Sequence, residues 1–205
     1  MNSEEILKKL DIIVPNPKCT LDYNKDYELL IAVMLSAQST DARVNIVTKE
    51  IFKYNLEELR DMETSKLEQI IMPVGTFHKK ALFIKSISNS LINDYNGIVP
   101  NNRKYLESLS GVGHKTTNVV LSELFNEPAI AVDTHVTRVS KRLGLAKEND
   151  DVVKIEKKLE KKFKKESWSR LHLQLVTFGR HTCKAKNPSC DKCPFKNMEC
   201  KKPLK

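Results

Sequence analysis

Apolar residues recur three and four positions apart along nearly the whole chain: Ile6, Leu7 and Leu10; Leu29, Leu30, Val33 and Met34; Ile84, Ile87, Leu91 and Ile92. That spacing lines one face of an α-helix, and runs of alternating apolar and polar residues long enough for strands are scarce. The pattern predicts an all-α protein. Caps and breakers divide it: Asp26, Thr40 and Thr64 start helices, while Gly97 and Pro100 close a long segment from about Phe77 to Tyr95. The charged stretch Ala146 to Asp151 reads as a turn, not a linker. No internal repeat or low-complexity segment marks a domain boundary, so any division must come from motifs.

The 205 residues are 40% hydrophobic, enough for one large unit or two small lobes to fold without external staples. No stretch approaches the roughly 18 apolar residues of a membrane helix. Met1 to Leu10 mixes acidic and basic residues where a signal peptide would be apolar. A cytoplasmic location, associated with the nucleoid, is therefore expected. Lys and Arg total 35 against 26 Asp and Glu, a formal net charge of +9. Such a surplus favours polyanionic partners by counterion release, nucleic acid first among them. The run Lys157 to Lys165 by itself reads as a solvated helix face.

Leu109-Ser110-Gly111-Val112-Gly113-His114-Lys115-Thr116 joins a helix ending near Ser108 to one running from about His114 to Phe125. Two glycines around one apolar residue permit a tight turn with positive φ and leave backbone N–H groups exposed at a helix N-terminus, where a phosphate oxygen can sit. The segment resembles the helix-hairpin-helix motif, which grips DNA by its backbone and not its sequence. Gly111, Val112, Gly113, His114 and Thr116 are the expected DNA contacts. Lys115 lies in the first turn of the second helix, where the dipole and His114 favour a neutral, nucleophilic amine. A phosphate-contacting lysine is the alternative.

Asp133 follows the short apolar run Ala129 to Val132 and precedes another helix. Capping accounts for an aspartate here; a carboxylate that steadies positive charge or handles protons is the functional alternative. Four of the five cysteines are gathered at the C-terminal end: Cys183, six residues, Cys190, two residues, Cys193, six residues, Cys200. In an intracellular chain such a group ligates metal more readily than it forms disulfides. Four thiolates hold either a tetrahedral zinc or a cubane iron-sulfur cluster, and a single Cys-x-x-Cys dyad leans toward the cluster. Lys184 and Lys186 stand between the first two ligands, so pinning that loop would order a basic segment against DNA phosphates. Arg180 is a further candidate for that surface or a residue stabilising a helix end. Trp168, with Leu171, Leu175 and Val176, fits the packed face of a last long helix.

Hairpin and aspartate together, with Lys115 standing 18 positions before Asp133, are similar to the active-site signature of the endonuclease III family. A third match lies upstream, where Glu28-Leu29-Leu30-Ile31-Ala32-Val33-Met34-Leu35-Ser36-Ala37-Gln38-Ser39-Thr40-Asp41 resembles that family's first core helix and the following loop. The likeness runs from about Leu7 to Cys200. It implies a two-lobed helix-hairpin-helix DNA glycosylase fold: a six-helix lobe over residues 19–128, and an iron-sulfur cluster lobe from residues 1–18 with 129–205. It implies that Lys115 is a Schiff-base nucleophile, that Asp133 is its catalytic carboxylate, and that Gln38 enters the helix stack vacated by a rotated nucleotide. Asp41 either lines the base pocket or begins the next helix, the second being the expectation. Cys183, Cys190, Cys193 and Cys200 are implied as ligands of a 4Fe-4S cluster, leaving Cys19 a buried or free thiol. Relatives generally have one residue fewer before the last ligand, a difference that a loop near a terminus absorbs.

The implied partner is double-stranded DNA with damaged bases or abasic sites, met by a monomer without any membrane. The implied activity is excision of oxidised pyrimidines followed by β-elimination. Adenine-mismatch glycosylases are the nearest alternative, but they carry a glutamate in the first core helix where Ala32 stands here, and they usually lack the hairpin lysine. A non-enzymatic helix-hairpin-helix DNA-binding protein with a structural metal site would explain the charge, hairpin and cysteines, but not Lys115 together with Asp133. Thr76 and Phe77 fall where relatives place a bulky apolar wedge, and Thr76 is small for that purpose.

Overall fold

The computed structural model describes residues 2–196 and 200. Among these residues, eleven α-helices and no strands are found: α1 (Ser3–Ile13), α2 (Asp26–Leu35), α3 (Asp41–Ile51), α4 (Leu56–Asp61), α5 (Thr64–Ile71), α6 (Phe77–Tyr95), α7 (Arg103–Ser108), α8 (His114–Phe125), α9 (Thr134–Arg142), α10 (Val152–Lys162) and α11 (Trp168–His181). The all-α expectation holds. No helix among the described residues is long and apolar enough to cross a membrane.

The chain divides into two compact units, one continuous from Thr20 to Phe125, the other joining the residues up to Cys19 with those from Asn126 onward. In the continuous unit, α2 is buried from Tyr27 to Leu35, the apolar-all-round profile of a central helix. It packs against α3, α6 and α8, while α4 and α5 pack on α6. Its one buried carboxylate, Glu28, turns back to accept from the backbone N–H groups of Asn24 (2.7 Å) and Lys25 (3.2 Å). That places the cap at Lys25, so Asp26 occupies the first helical position and accepts from the Val99 N–H at 2.7 Å.

Thr40 caps α3 as expected, its hydroxyl accepting from the Arg43 N–H at 3.4 Å. Asp41 begins the helix and accepts from the Thr20 hydroxyl, its charge well placed at a helix N-terminus. Thr64 likewise sits one position inside α5, after Glu63. Against six helices expected, this unit holds seven, because Asn55 and Glu58 form a reciprocal cap that sets off the six-residue α4. At the end of α6, Asn96 and Gly97 both take left-handed φ, and the Gly97 N–H donates to the Leu91 carbonyl at 2.9 Å, closing the last turn.

The other unit packs α1 and α9 on α11, with α10 on α9. Its core includes Ile6, Leu10, Val136, Val139, Ile155, Leu159, Leu171, Leu175, Phe178 and Phe195. Arg170 donates to Asp11 at 2.9 and 2.6 Å and Gln174 donates to the same carboxylate at 2.8 Å, tying α11 to α1. The guanidinium holds the Asp11 carboxyl below the usual carboxylate range. Trp168 packs half-buried against this core and donates to the Phe163 carbonyl at 3.0 Å. Residues 147–151 form the expected turn, with Asp151 capping α10. Cys19 is half-buried.

Candidate DNA-binding and catalytic site

The hairpin is built on a buried hydrophobic anchor. Val112, 4% exposed, points into the unit, and its N–H donates to the Leu109 carbonyl at 3.1 Å. Gly111 alone of the two flanking glycines takes positive φ, +78°, and its Cα faces the Phe83 ring of α6 so closely that a Cβ would lie 2.4 Å from a ring carbon. Gly113 has neither feature; nothing lies within 4 Å of the place a Cβ would take. Its openness leaves the first turn of α8 exposed, where backbone N–H groups have no intrahelical acceptor. Ser110 and Ser86 hydroxyls, 3.0 Å apart, brace the turn against α6.

Lys115 is exposed at the second position of α8, and Thr116 beside it is half-buried. His114 does not simply extend into solvent. Its Nδ1 lies 3.2 Å from the Glu107 carboxylate, which Arg103 also contacts at 3.2 Å, and its Nε2 lies 3.3 Å from the Asn118 amide. Glu107 therefore laces α7 to the start of α8, a role carried by no motif.

Gln38, exposed in the loop between α2 and α3, has φ +56°, a conformation costly for a side chain with a Cβ. Thr76, before α6, is also left-handed at +57° and exposed. Phe77 is half-buried and its ring stacks on His78 with centroids 4.0 Å apart. Ala32, where a competing family carries a glutamate, is fully buried.

Asp133 caps α9, its Oδ1 accepting from the Val136 N–H at 2.8 Å. The preceding run Ala129 to Val132 is buried, and the bond to Val136 orients the carboxylate. His135 lies two residues on, its pKa pushed down by burial despite the opposing pull of Asp133. Arg138 contacts His135 at 3.1 Å and donates to the carbonyls of Gly179 (2.8 Å) and Cys183 (3.1 Å).

Cys183, Cys190, Cys193 and Cys200 line one cavity with Arg142, Thr182, Pro188 and Ser189. Arg142 donates to the Cys183 thiol at 3.4 Å and to the Lys184 and Ala185 carbonyls at 2.7 and 3.3 Å, shaping the loop that carries exposed Lys184 and Lys186. Burial raises the Cys193 thiol pKa, and the other three thiols act in the same direction, as four sulfurs sharing one space would. Among the described residues no three His, Cys, Asp or Glu side chains converge as a single-ion site. Four thiols lining one cavity form a sulfur-rich donor set of the kind that metal groups take. Residues 197–199 of the last interval, which carries the additional residue, lie outside the described residues. Arg180 is half-buried in the last turn of α11.

Helices alone and a left-handed glycine turn feeding the N-terminus of α8 define a helix-hairpin-helix protein. The family model described as HhH-GPD superfamily base excision DNA repair protein matches residues 31–165. Endonuclease III of Bacillus subtilis (strain 168) is 46% identical over 197 residues, covering 95% of this chain and 90% of that protein. A solved non-covalent endonuclease III–DNA complex superposes with a TM-score of 0.92 at 45% identity, covering 97% of this chain and 93% of the other. A trapped endonuclease III–DNA covalent intermediate, in an estranged-adenine complex, gives 0.89 at 45% identity, covering 95% and 93%. The chain belongs to the HhH-GPD superfamily and, within it, to the endonuclease III family.

Phe83, Glu107, Arg142 and Lys80 escape a motif-based reading. Only Lys80 leaves a sequence signal: it falls on the apolar face of α6 with Ala81, Ile84, Ile87 and Leu91.

Proposed function

We propose that the protein removes oxidised pyrimidines from duplex DNA through a lysine Schiff base and then cleaves the strand by β-elimination. Its family makes it a base-excision repair enzyme, a DNA glycosylase and AP lyase. The observations that support the chemistry are an exposed lysine in the first turn of α8 and an aspartate that caps α9. A relative trapped as a covalent DNA intermediate supports a covalent route.

In this reading the Lys115 Nζ lone pair bonds to C1′ while the bond from C1′ to the base breaks, its electrons leaving with the base. Opening of the C1′–O4′ bond gives the protonated Schiff base, whose positive charge the Asp133 carboxylate steadies. Loss of a C2′ proton then expels the 3′ phosphate, and hydrolysis of the remaining imine returns the lysine. Gly111, Val112, Gly113, His114 and Thr116 hold the phosphate backbone at the hairpin, and Gln38 fills the stack behind the extruded nucleotide.

The four cysteines would hold a 4Fe-4S cluster, which supplies structure to the loop and no step of the reaction. Lys184 and Lys186 would then rest on backbone phosphates. A cytoplasmic, nucleoid-associated monomer fits these roles and the net charge of +9.

Borohydride reduction in the presence of abasic duplex DNA is expected to trap a covalent adduct that Lys115→Gln abolishes. An undiminished adduct in that variant would move the nucleophile elsewhere.

A further inference from the structure

Lys80 is 3% exposed, a cation buried in the apolar face of α6. Its ammonium donates to the carbonyls of Leu35 at 2.8 Å and Ala37 at 2.7 Å, at the C-terminal end of α2. Helix C-termini end in carbonyls with no intrahelical donor and a partial negative charge, so Lys80 closes α2 from another helix. Burial lowers its pKa from the usual lysine value, the cost of keeping an ammonium there. The residue after Ala37 is Gln38, exposed and left-handed.

Thr76 is the N-cap of α6 and lies one helical turn before Lys80, whose N–H makes the first-turn bond of the helix to the Thr76 carbonyl at 3.1 Å. Thr76 is itself left-handed, and at Gly75 a Cβ would stand 3.3 Å from the Gln38 carbonyl. Two non-glycine residues in the left-handed conformation persist only where surroundings over-determine them. The Lys80 ammonium thus ties the loop of Gln38 to the helix that opens directly after Thr76. A core role would be met by leucine or methionine at this register without burying a charge.

We propose that Lys80 is a positioning residue for DNA interrogation: it fixes the loop of Gln38 against that of Thr76, so that Gln38 is presented ready to enter the base stack. This rests on Gln38 being the stack-entering residue. The three donors of the ammonium span both carbonyls at once, which a neutral side chain of similar length does not do. Without them, residues 36–39 lose their anchor and Gln38 samples many directions before finding the gap.

The test is a double-mutant cycle on Lys80→Met and Gln38→Ala, with Lys80→Arg as the variant that keeps charge and donors. Two signals are read: single-turnover excision from a lesion duplex, and fluorescence of 2-aminopurine placed opposite the lesion, which rises when that base is unstacked. Each excision rate is divided by borohydride trapping on single-stranded abasic DNA, which has no opposing stack to enter. For Lys80→Met the ratio is expected to fall on the order of tenfold or more, as misplacement by about an ångström does. The fluorescence rise should be lost, and adding Gln38→Ala should cost little further. Lys80→Arg should recover most of both signals. Equal loss on single-stranded and duplex substrates, or full additivity with Gln38→Ala, would reduce Lys80 to a core residue. A silent Gln38→Ala would instead strike the reading of Gln38, and the Lys80 inference with it. Should Lys80→Met fail to fold, a Lys80→Arg variant that melts normally yet loses the fluorescence rise equally overturns the proposal, while retention supports it.

Discussion

Replacing each hairpin glycine with alanine separates two demands that the motif merges. At Gly111 the alanine must hold φ +78° and put a methyl 2.4 Å from the Phe83 ring. The left-handed backbone costs roughly 1–2 kcal/mol and displacing a packed ring roughly 1–3 kcal/mol, about 2–5 kcal/mol together. For a chain of this length that lowers the melting temperature on the order of 10 °C. At Gly113 no strain arises and the added methyl meets nothing within 4 Å, so the fold should be unchanged or slightly firmer. That methyl would, however, stand where a DNA phosphate approaches α8, and losing one charge-assisted hydrogen bond there weakens duplex affinity about tenfold. Thermal melts by circular dichroism and fluorescence-anisotropy titration with duplex DNA read the two effects separately. Adding Phe83→Ala to Gly111→Ala should return the steric part but not the backbone part. Equal melting temperatures for the two single variants, or no coupling between Gly111 and Phe83, would refute this account of the turn.

Asp133→Asn keeps a side chain that caps α9 about as well, so stability should move by less than about 0.5 kcal/mol, while excision slows on the order of a hundredfold. Unimpaired single-turnover excision in that variant would leave Asp133 as a cap alone. Anaerobically purified protein should absorb visible light and lose that absorption in Cys190→Ser; a colourless, zinc-loaded preparation would argue against the cluster.

The helical register was legible because burial follows it closely: Ile84, Ile87 and Leu91 are all buried on α6. Helix starts were legible, since Asp26 and Thr64 open α2 and α5 and Thr40 caps α3; that the cap of α2 is Lys25, completed by Glu28 reaching backward, is a detail residue type alone does not encode. The hairpin was visible as a turn, yet which glycine needed to be glycine depended on Phe83, brought in by tertiary packing. Lys80 and its acceptors are 43 and 45 residues apart in sequence, and Arg142 stands 41 residues from Cys183, so neither link belongs to a local pattern. Asp133 as a cap followed from chemistry and position; its catalytic assignment came from likeness to a family, since a cap and a catalytic carboxylate look alike in one sequence.

The unit that joins both stretches of the chain has a consequence for synthesis. Asp11 waits 159 residues for Arg170, and Lys9 waits 185 for the Pro194 carbonyl it contacts at 2.9 Å. While the ribosome works, Ile6 and Leu10 therefore have no lasting partner, whereas Thr20 to Phe125 can condense as soon as it emerges. Closing so long a loop adds little entropy beyond a short one, so the delay is one of time more than of free energy. In that interval the apolar edge of α1 formed by Ile6 and Leu10 stays uncovered.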